Sequence, residues 1–214
     1  MDYKNCLIVI PMKSLGASKS RLEKHLPKNI KDKIVLKSFC KTLEKIKNVI
    51  EYMDGCFNLV VLTNCEEISE ITRKKNIQII KDKYDKNLSF SLQFAAEWAS
   101  KKKYLSMCIF PADIAGLNIE DIKTFLLYSN KGRHAVLCPS YDLGTNALFI
   151  SPPNAIKFNF GKKSFLSHIN LASNAGLKPV ILSLESIKYD IDNMIDVEKL
   201  FKDYPNFIEG YSHE

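Results

Sequence analysis

Residues Tyr104–Gly116 read YLSMCIFPADIAG, and this stretch decides the predicted fold. An apolar run from Leu105 to Phe110 is preceded by three lysines and followed by a proline and a glycine. A strand buried on both faces of a parallel sheet has this pattern, because helices cover both sides of the sheet. Asp113 stands just past the run. Ligands of open α/β sheets bind outside the carboxyl ends of the strands, so Asp113 is a candidate site residue. The plainer interpretation is an Asp that caps a turn or a helix.

Other apolar runs alternate with helical patterns along the chain. Short runs bounded by turn residues predict strands, and apolar residues at helical spacing predict the helices between them. Strands and helices alternate from residue 6 to residue 139, which predicts an α/β protein with a mostly parallel central sheet. We expect one domain over residues 1–214. The predicted strands span residues 7–10, 58–62, 77–80, 105–110, 135–138, a run that ends at 150, and 180–182. The predicted helices span residues 29–47, a helix that Asn64 caps and that ends at 75, residues 88–100, a helix that Asn118 caps and that ends at 127, and a helix that ends at 175.

Composition excludes several classes of protein. Hydrophobic residues make up 46% of the 214 residues, which is typical of a globular chain and not of a disordered one. No apolar stretch approaches the roughly 20 residues that a membrane span needs. The N-terminus, MDYKNCLIVIPMK, has no basic leader or small-residue cleavage site, so we expect no signal peptide. The six cysteines show neither a CxxC motif nor zinc-like spacing, which indicates a reduced, cytoplasmic protein.

The net charge of +7 bears on the partners of the chain. Nucleic-acid binding would require basic residues clustered with aromatic ones, or a known motif, and the sequence has neither. A basic surplus also suits an enzyme of phosphorylated substrates, because it attracts anions to the site. Charge alone does not choose between these partners. We expect no nucleic acid and no membrane among them.

The loop after the first strand, MKSLGASKSRL at residues 12–22, is a candidate phosphate site. Its small residues allow backbone N–H groups to turn toward a phosphate, while Lys13, Lys19 and Arg21 neutralise the charge. The loop matches neither the Walker A pattern nor the Rossmann GxGxxG, so those two sites are excluded. A flexible basic loop without a ligand is the alternative.

Two later segments carry further candidates. In FGKKSFLSH, residues 160–168, a glycine and a serine at a helix start predict an anion site, with an ordinary serine N-cap as the alternative. Asp190 and Asp192 alternate in an extended segment, which places their carboxylates on one face about 7 Å apart. Together with Asp113 they could hold Mg²⁺, which favours one or two protein carboxylates plus substrate phosphates. A solvated acidic turn is the alternative.

Five motifs resemble one family when they are taken in order: PMKSLGASKSRL, PADIAGL, GTNALF, FGKKSFLSH and DID. This combination resembles the 2-phospho-L-lactate guanylyltransferases and the related phosphoenolpyruvate guanylyltransferases of coenzyme F420 biosynthesis, over nearly the whole chain. The resemblance implies a three-layer, Rossmann-like nucleotidyltransferase fold. It also implies that GTP is joined to a phosphorylated three-carbon acid and that pyrophosphate is released. A glycine commonly precedes GTNAL in that family, where this chain has Leu143.

The resemblance also implies the residues of the nucleotide site. GTP would be bound through its triphosphate by Lys13, Lys19 and Arg21, and Asn87 would lie beside the nucleotide. Of these residues, Lys13 and Arg21 would act directly in catalysis, together with Asp113.

Metal and acceptor sites follow in the same way. The resemblance implies that Mg²⁺ is held by Asp113 with Asp190 or Asp192. The acceptor phosphate would be bound by a second set, which comprises Thr145, Gly161 and Ser164. The residues do not say whether the acid is phospholactate, phosphoenolpyruvate or 3-phosphoglycerate, and guanine is inferred from the resemblance alone. A homodimer is one option for the oligomeric state, which the residues leave open.

The chemistry of this transfer follows from charge. An acceptor phosphate oxygen attacks the α-phosphorus in line, and because a phosphate is already an anion, no general base is required. His168 is therefore expected to cap or pack and not to act as a base. The alternatives are a nucleotidyltransferase with another acceptor, such as a sugar phosphate or molybdopterin, and a non-catalytic nucleotide-binding module. A nucleic-acid binder is a further alternative, and these alternatives rank below the guanylyltransferase.

Overall fold

A computed structural model describes residues 6–53, 57–84, 87–114, 116–129 and 134–208, without the side chains of Ala17, Ser20 and Arg21. Within these residues, seven strands form one sheet. The strands are β1 Cys6–Pro11, β2 Phe57–Thr63, β3 Gln78–Lys81, β4 Ser106–Ile109, β5 His134–Pro139, β6 Thr145–Ile150 and β7 Lys178–Ile181. The helices are α1 Lys28–Tyr52, α2 Glu66–Lys74, α3 Leu88–Lys101, α4 Ile119–Tyr128, α5 Ser164–Asn174, α6 Glu185–Lys188 and α7 Met194–Asp203, and two 3₁₀ turns span Leu15–Ala17 and Ser20–Lys24.

The order of the strands confirms the predicted α/β fold with a mostly parallel sheet. The order is β3-β2-β1-β4-β6-β5-β7, and only β6 runs antiparallel to its neighbours β4 and β5. Because β6 is reversed, it begins at the edge of the sheet where the parallel strands end. Thr145, the first residue of β6, therefore lies at the same edge as Asp113, which follows β4.

The core lies on both faces of the sheet, as three-layer packing requires. Ile8 and Ile10 of β1 face one cluster, to which α1, α2 and α4 contribute, whereas Leu7 and Val9 face a second cluster built with α3 and α5. All four of these side chains are fully buried. The β4 strand is buried throughout, which confirms the prediction made from its apolar run.

The helices α6 and α7 are not among the predicted ones, and two further differences concern the end of α1 and the cap of α2. Helix α1 continues five residues past the predicted end at 47, because Val49 extends its buried face. Helix α2 has Cys65 and not Asn64 at its N-cap, so the predicted cap is wrong. The Thr63 hydroxyl at the end of β2 accepts the N–H of Cys65 at 3.1 Å. The predicted Asn118 cap of α4 is confirmed, since its side chain accepts the Asp121 N–H at 2.7 Å.

Five cysteines lie among the described residues, and all five are free thiols. Burial raises the pKa of the Cys6 thiol to about 12 and that of Cys138 to about 11, so both behave as small apolar side chains. None of the helices in the described ranges combines the length and the apolar composition that a membrane crossing requires.

Candidate active site at the carboxyl edge of the sheet

The loop after β1 is fixed by one buried lysine. Lys31 of α1 is fully buried, and its Nζ donates to the Leu15 carbonyl at 3.1 Å and to Glu23 Oε1 at 2.8 Å. These two acceptors belong to the two successive 3₁₀ turns of the loop. Ser18 Oγ also donates to the Ser14 carbonyl at 2.9 Å. The loop is thus tied to α1 and to itself, unlike the flexible basic loop that was the alternative.

Lys19 lies between two of the predicted metal ligands. Its Nζ is 2.5 Å from Asp113 Oδ2 and 2.7 Å from Asp192 Oδ1, and its side chain is only 10% exposed. Burial disfavours the charged amine, but the two carboxylates outweigh burial and raise the pKa of Lys19 above its ordinary value. Lys19 also has a left-handed backbone conformation, with φ 55° and ψ 44°, which favours glycine. This strained position at the end of the loop places the ammonium among the acids.

Asp190 completes the acidic cluster. Burial, followed by repulsion from Asp113 and Asp192, raises the pKa of Asp190 to about 6. Asn146 of β6 holds it, because Nδ2 donates to the Ile187 carbonyl at 2.8 Å and approaches Asp190 Oδ1 at 3.4 Å. The structure therefore brings the three predicted acids into one electrostatic group, although Asp190 and Asp192 contact different partners.

The segment that carries Asp192 is anchored by a capping box at the start of α7. Asn193 Oδ1 accepts the Ile195 N–H at 2.8 Å and the Asp196 N–H at 3.2 Å. In return, Asp196 Oδ2 accepts the Asp192 N–H at 2.8 Å and the Asn193 N–H at 2.9 Å. The Asp192 backbone is therefore fixed by the helix that follows it.

The acidic cluster fits a divalent cation in its chemistry. Among the described residues, no three His, Cys, Asp or Glu side chains are close enough together to form a metal site by themselves. Mg²⁺ does not need three such side chains, because it binds through one or two carboxylates plus waters and substrate phosphates. Oxygens of Asp113 and Asp192 already converge within 2.7 Å of one cation, the Lys19 ammonium. This convergence of carboxylates on a positive charge is the observation that supports a metal site here.

A cavity of about 570 Å³ opens beside the acids. It runs across the carboxyl ends of β3, β2, β1 and β4, which amounts to roughly 14 Å at the usual spacing of strands. Its shape and size suit an elongated ligand such as a nucleotide. The cavity is lined by Pro11, Met12, Lys13, Ser18, Lys19, Val35, Leu62, Asp82, Leu88, Ser91, Pro111, Ala112, Asp113 and Asp192.

The predicted nucleotide residues have different positions around this cavity. Lys13 lines it and forms no ion pair with a described residue, whereas Lys19 points to the acids. Asn87 caps α3, since Oδ1 accepts the Phe90 N–H at 3.1 Å, and its neighbour Leu88 lines the cavity. Nucleotide binding by Asn87 stays a prediction. The side chain of Arg21 lies outside the described part of the chain.

The hairpin between β5 and β6 places Thr145 against α5. A Cβ at Gly144 would lie 2.6 Å from Ser140 Oγ, so a larger residue there would require the Ser140 side chain to move. Leu143 has φ 65°, the left-handed conformation that explains why a glycine suits this position. The Leu143 carbonyl accepts the Phe165 N–H at 3.1 Å, which joins the hairpin to the first turn of α5.

The three predicted acceptor residues come together at this junction. Thr145 Oγ1 is 3.1 Å from Ser164 Oγ, and the Gly161 carbonyl accepts the Ser164 N–H at 3.1 Å. Gly161 has φ 141°, which favours glycine. Ser164 is the first residue of α5, and Lys163 precedes it at the N-cap, so the alternative of a serine N-cap is wrong. The Ser164 hydroxyl is thus available for Thr145.

His168 is buried behind the two hydroxyls. Its Nδ1 is 2.9 Å from Thr145 Oγ1, and its Nε2 accepts the Asn159 N–H at 3.1 Å. The side chain is fully buried, and burial lowers the pKa of His168 to about 4. The ring also packs edge-on against Phe160, with centroids 4.6 Å apart. A neutral, buried ring agrees with the packing role expected from the sequence.

Sequence reasoning missed three residues that build this site. Lys31 resembles the other lysines of α1, and nothing in the sequence marks it as buried. Asp196 resembles any first-turn acid of a helix. Asn146 could have been found, because it belongs to the GTNALF motif, although its partner Asp190 lies 44 residues away.

Comparisons with known proteins agree with this geometry. The family described as "Guanylyl transferase CofC like" matches residues 6–203. A 3-phospho-D-glycerate guanylyltransferase of Colwellia psychrerythraea is 32% identical over 196 residues, which cover 90% of each chain. A 2-phospho-L-lactate guanylyltransferase of Methanocaldococcus jannaschii is 27% identical over 195 residues, 91% of this chain and 81% of its own.

Solved structures share the fold. A 4-diphosphocytidyl-2C-methyl-D-erythritol synthase of Anaerococcus prevotii superposes with a TM-score of 0.63 at 12% identity, over 95% of this chain and 97% of its own. At this identity the likeness shows the fold alone, which is the predicted Rossmann-like nucleotidyltransferase fold. The family match over nearly the whole chain adds the activity class, nucleotidyl transfer of a guanylyl group. The chain therefore belongs to the family of CofC-like guanylyl transferases.

Proposed function

We propose that this protein transfers the guanylyl group of GTP to the phosphate of a phosphorylated three-carbon acid and releases pyrophosphate. The observation that carries the proposal is the acidic cluster, which lies beside the cavity and is linked through Asn146 to the start of β6. Asp113 lines the nucleotide cavity. Asp190, on the other side, is held by Asn146, the residue next to Thr145 of the hydroxyl pair. We propose that a donor phosphate in the cavity and an acceptor phosphate at the start of β6 meet at the acids.

The residues of the chain perform this reaction by positioning and charge. Lys13 and the loop that Lys31 fixes would bind the triphosphate, and Thr145 and Ser164 would orient the acceptor phosphate for in-line attack. No side chain needs to remove a proton, since the attacking oxygen is already anionic. We propose that Mg²⁺ is held by Asp113 with Asp190 or Asp192, where it would neutralise charge on the phosphates. Lys19 would then leave the acids and pair with the triphosphate.

Base selection is assigned to the far end of the cavity. Asp82 follows β3, three strands away from β4, and its Oδ1 accepts the Tyr84 N–H at 2.8 Å. A fixed carboxylate accepts hydrogen bonds only, so it suits the neighbouring N–H donors of guanine and opposes the ring acceptor of adenine. We expect Asp82→Asn to reduce the preference for GTP over ATP about tenfold, which is about 1.4 kcal/mol.

The acceptor is proposed to be 3-phosphoglycerate first. The relative named for 3-phospho-D-glycerate is 32% identical to this chain, compared with 27% for the one named for 2-phospho-L-lactate. Phospholactate and phosphoenolpyruvate are the next acids to test, followed by a sugar phosphate. Coenzyme F420 biosynthesis, as the setting of the reaction, is supported by the resemblance of the motifs. A cytoplasmic location is supported by the five free cysteines.

Release of pyrophosphate tests the proposal. The protein is incubated with Mg²⁺ and GTP and with each acid in turn, and ATP and CTP serve as nucleotide controls. Asp113→Asn is expected to reduce turnover at least a hundredfold, about 2.7 kcal/mol, because it removes a charge at the reacting phosphates. Asp203→Asn, a change at an exposed acid of α7, is the matched control and should keep full activity. Folded protein that releases no pyrophosphate with any pair would overturn the assignment.

A further inference from the structure

We infer that His168 is a positioning residue for the acceptor phosphate. The ring carries its proton on Nδ1 and donates it to the Thr145 hydroxyl. One hydroxyl proton of the Thr145–Ser164 pair is then free to be donated to a phosphate oxygen. This inference rests on the proposed function and deepens it, because it assigns a residue behind the acceptor site. His168 lies one residue away from the acceptor in this scheme, and it acts through Thr145. The site would take the phosphate group of the acid, an anion that only accepts hydrogen bonds.

The first step concerns the tautomer of His168. Nε2 lies 3.1 Å from the backbone N–H of Asn159, which can only donate, so Nε2 must carry a lone pair. The ring is fully buried and packed against Phe160, which opposes a second proton and keeps the ring neutral. The single ring proton is therefore on Nδ1. It is donated to Thr145 Oγ1, which is 2.9 Å away.

The second step counts protons in the network. Three are available, one each from His168 Nδ1, the Thr145 hydroxyl and the Ser164 hydroxyl. The His168–Thr145 and Thr145–Ser164 contacts use two of them, so one hydroxyl proton remains for a ligand. In the opposite tautomer only the two hydroxyl protons exist, and both contacts would consume them. The Asn159 N–H thus selects the tautomer that leaves a donor at the site.

The third step is the fit to phosphate. Ser164 begins α5, whose dipole also favours an anion. A hydroxyl that donates to a charged phosphate oxygen forms a stronger hydrogen bond than one between neutral groups. A network with a spare donor binds phosphate, whereas a network with none presents only lone pairs to it. His168 therefore controls affinity for the acceptor without touching it.

Two amide substitutions separate this role from a purely structural one. His168→Asn can present an N–H at the place of Nδ1 and keeps the donation to Thr145. His168→Gln reaches instead toward Asn159 and loses that donation. Affinities for 3-phosphoglycerate and for inorganic phosphate are measured by calorimetry without GTP, so this measurement needs no turnover. Thermal unfolding verifies that both variants fold.

The expected result is a difference between the two variants. His168→Gln should bind both ligands at least tenfold more weakly than the wild type, and His168→Asn should recover most of the loss. In turnover, the KM for the acid should rise in His168→Gln while the KM for GTP stays within twofold. Equal affinities in both variants, either both normal or both reduced, would overturn the inference.

A direct spectroscopic measurement keeps the inference testable if the variants do not fold. Long-range ¹⁵N–¹H correlation spectra distinguish the two histidine tautomers, and the chain has only four histidines to assign. We expect His168 in the Nδ1–H form near neutral pH, with and without inorganic phosphate. An Nε2–H form would overturn the inference. If the wild type binds phosphate in this way but releases no pyrophosphate, the proposed reaction fails and the donor network stands.

Discussion

Replacing Lys19 with methionine tests whether its ammonium occupies the place of a divalent cation. In the free protein, Lys19 Nζ lies 2.5 Å from Asp113 and 2.7 Å from Asp192. Removing one partner of a fully buried ion pair costs about 3–5 kcal/mol. The two carboxylates here remain 27% and 39% exposed, so water screens part of the repulsion that the substitution leaves. We therefore expect Lys19→Met to lower the free energy of unfolding by about 1–2 kcal/mol.

The same substitution should strengthen binding of a metal. In the wild type a divalent cation must displace the Lys19 ammonium from the carboxylates, and in the variant it need not. The metal therefore binds the variant more favourably by the energy of the lost ion pair, about 1–2 kcal/mol. A difference of about 1.4 kcal/mol corresponds to a tenfold change in the dissociation constant. Mn²⁺ without nucleotide is accordingly expected to bind Lys19→Met about tenfold more tightly than the wild type. Mn²⁺ should also restore the lost stability.

Electron paramagnetic resonance of free Mn²⁺ gives the dissociation constants, and thermal unfolding with and without Mn²⁺ gives the stabilities. Lys13→Met is the matched control, because Lys13 lines the same cavity but forms no ion pair with a described acid. It should change Mn²⁺ affinity less than twofold. An unchanged or weaker affinity in Lys19→Met would show that the ammonium and the metal do not occupy the same place.

Three further predictions concern the groups around the site. Lys31→Met should raise the KM for GTP about tenfold and leave the KM for the acid unchanged, because only the loop after β1 loses its anchor. Steady-state kinetics measure both constants, and Lys33→Met, a change at an exposed lysine of the same helix, is the control. His168 has a folded pKa of about 4, below its ordinary value near 6.5, so it contributes up to about 3 kcal/mol of stability above pH 6.5 that is lost as the pH falls through 4. Urea unfolding from pH 7 to pH 4 should show this loss in the wild type and not in His168→Asn, and parallel curves would contradict it. Asn193→Ala removes the cap of α7 and should lower the free energy of unfolding by about 1 kcal/mol in the same assay. A change below about 0.5 kcal/mol, the lower end for such caps, would show that the cap does not stabilise the helix.

Prediction of the fold succeeded where local pattern and burial coincide. The β4 strand is buried on both faces, so its apolar run has no polar interruption and marks a central strand. Asp113 follows that strand, and the carboxyl edge of such a sheet is where ligands bind. Asn118 caps α4 as predicted, because a cap depends on only four consecutive residues. Each of these features is encoded within a few residues of the chain.

Helix starts and buried lysines were harder to predict, for a physical reason. The cap of α2 is one residue later than predicted, and local pattern does not separate two adjacent cap positions. Lys31 has the same side chain as the exposed lysines around it, and its burial depends on a loop that folds back over α1. Propensity carries no information about the burial of Lys31, since this burial depends on a contact with a separate segment of the chain.

Local patterns in the chain were enough to predict the parallel sheet, the acid after β4, the candidate residues of both anion sites and, through the motifs, the family. How these residues meet could be seen only in the folded molecule. Lys19 lies between Asp113 and Asp192, although Lys19 and Asp192 are 173 residues apart in the sequence. Thr145 Oγ1 lies 2.9 Å from His168 Nδ1. Charge pairing and hydrogen-bond direction depend on distances of a few ångströms. Those distances are set by the packing of helices on the sheet, which no local pattern contains.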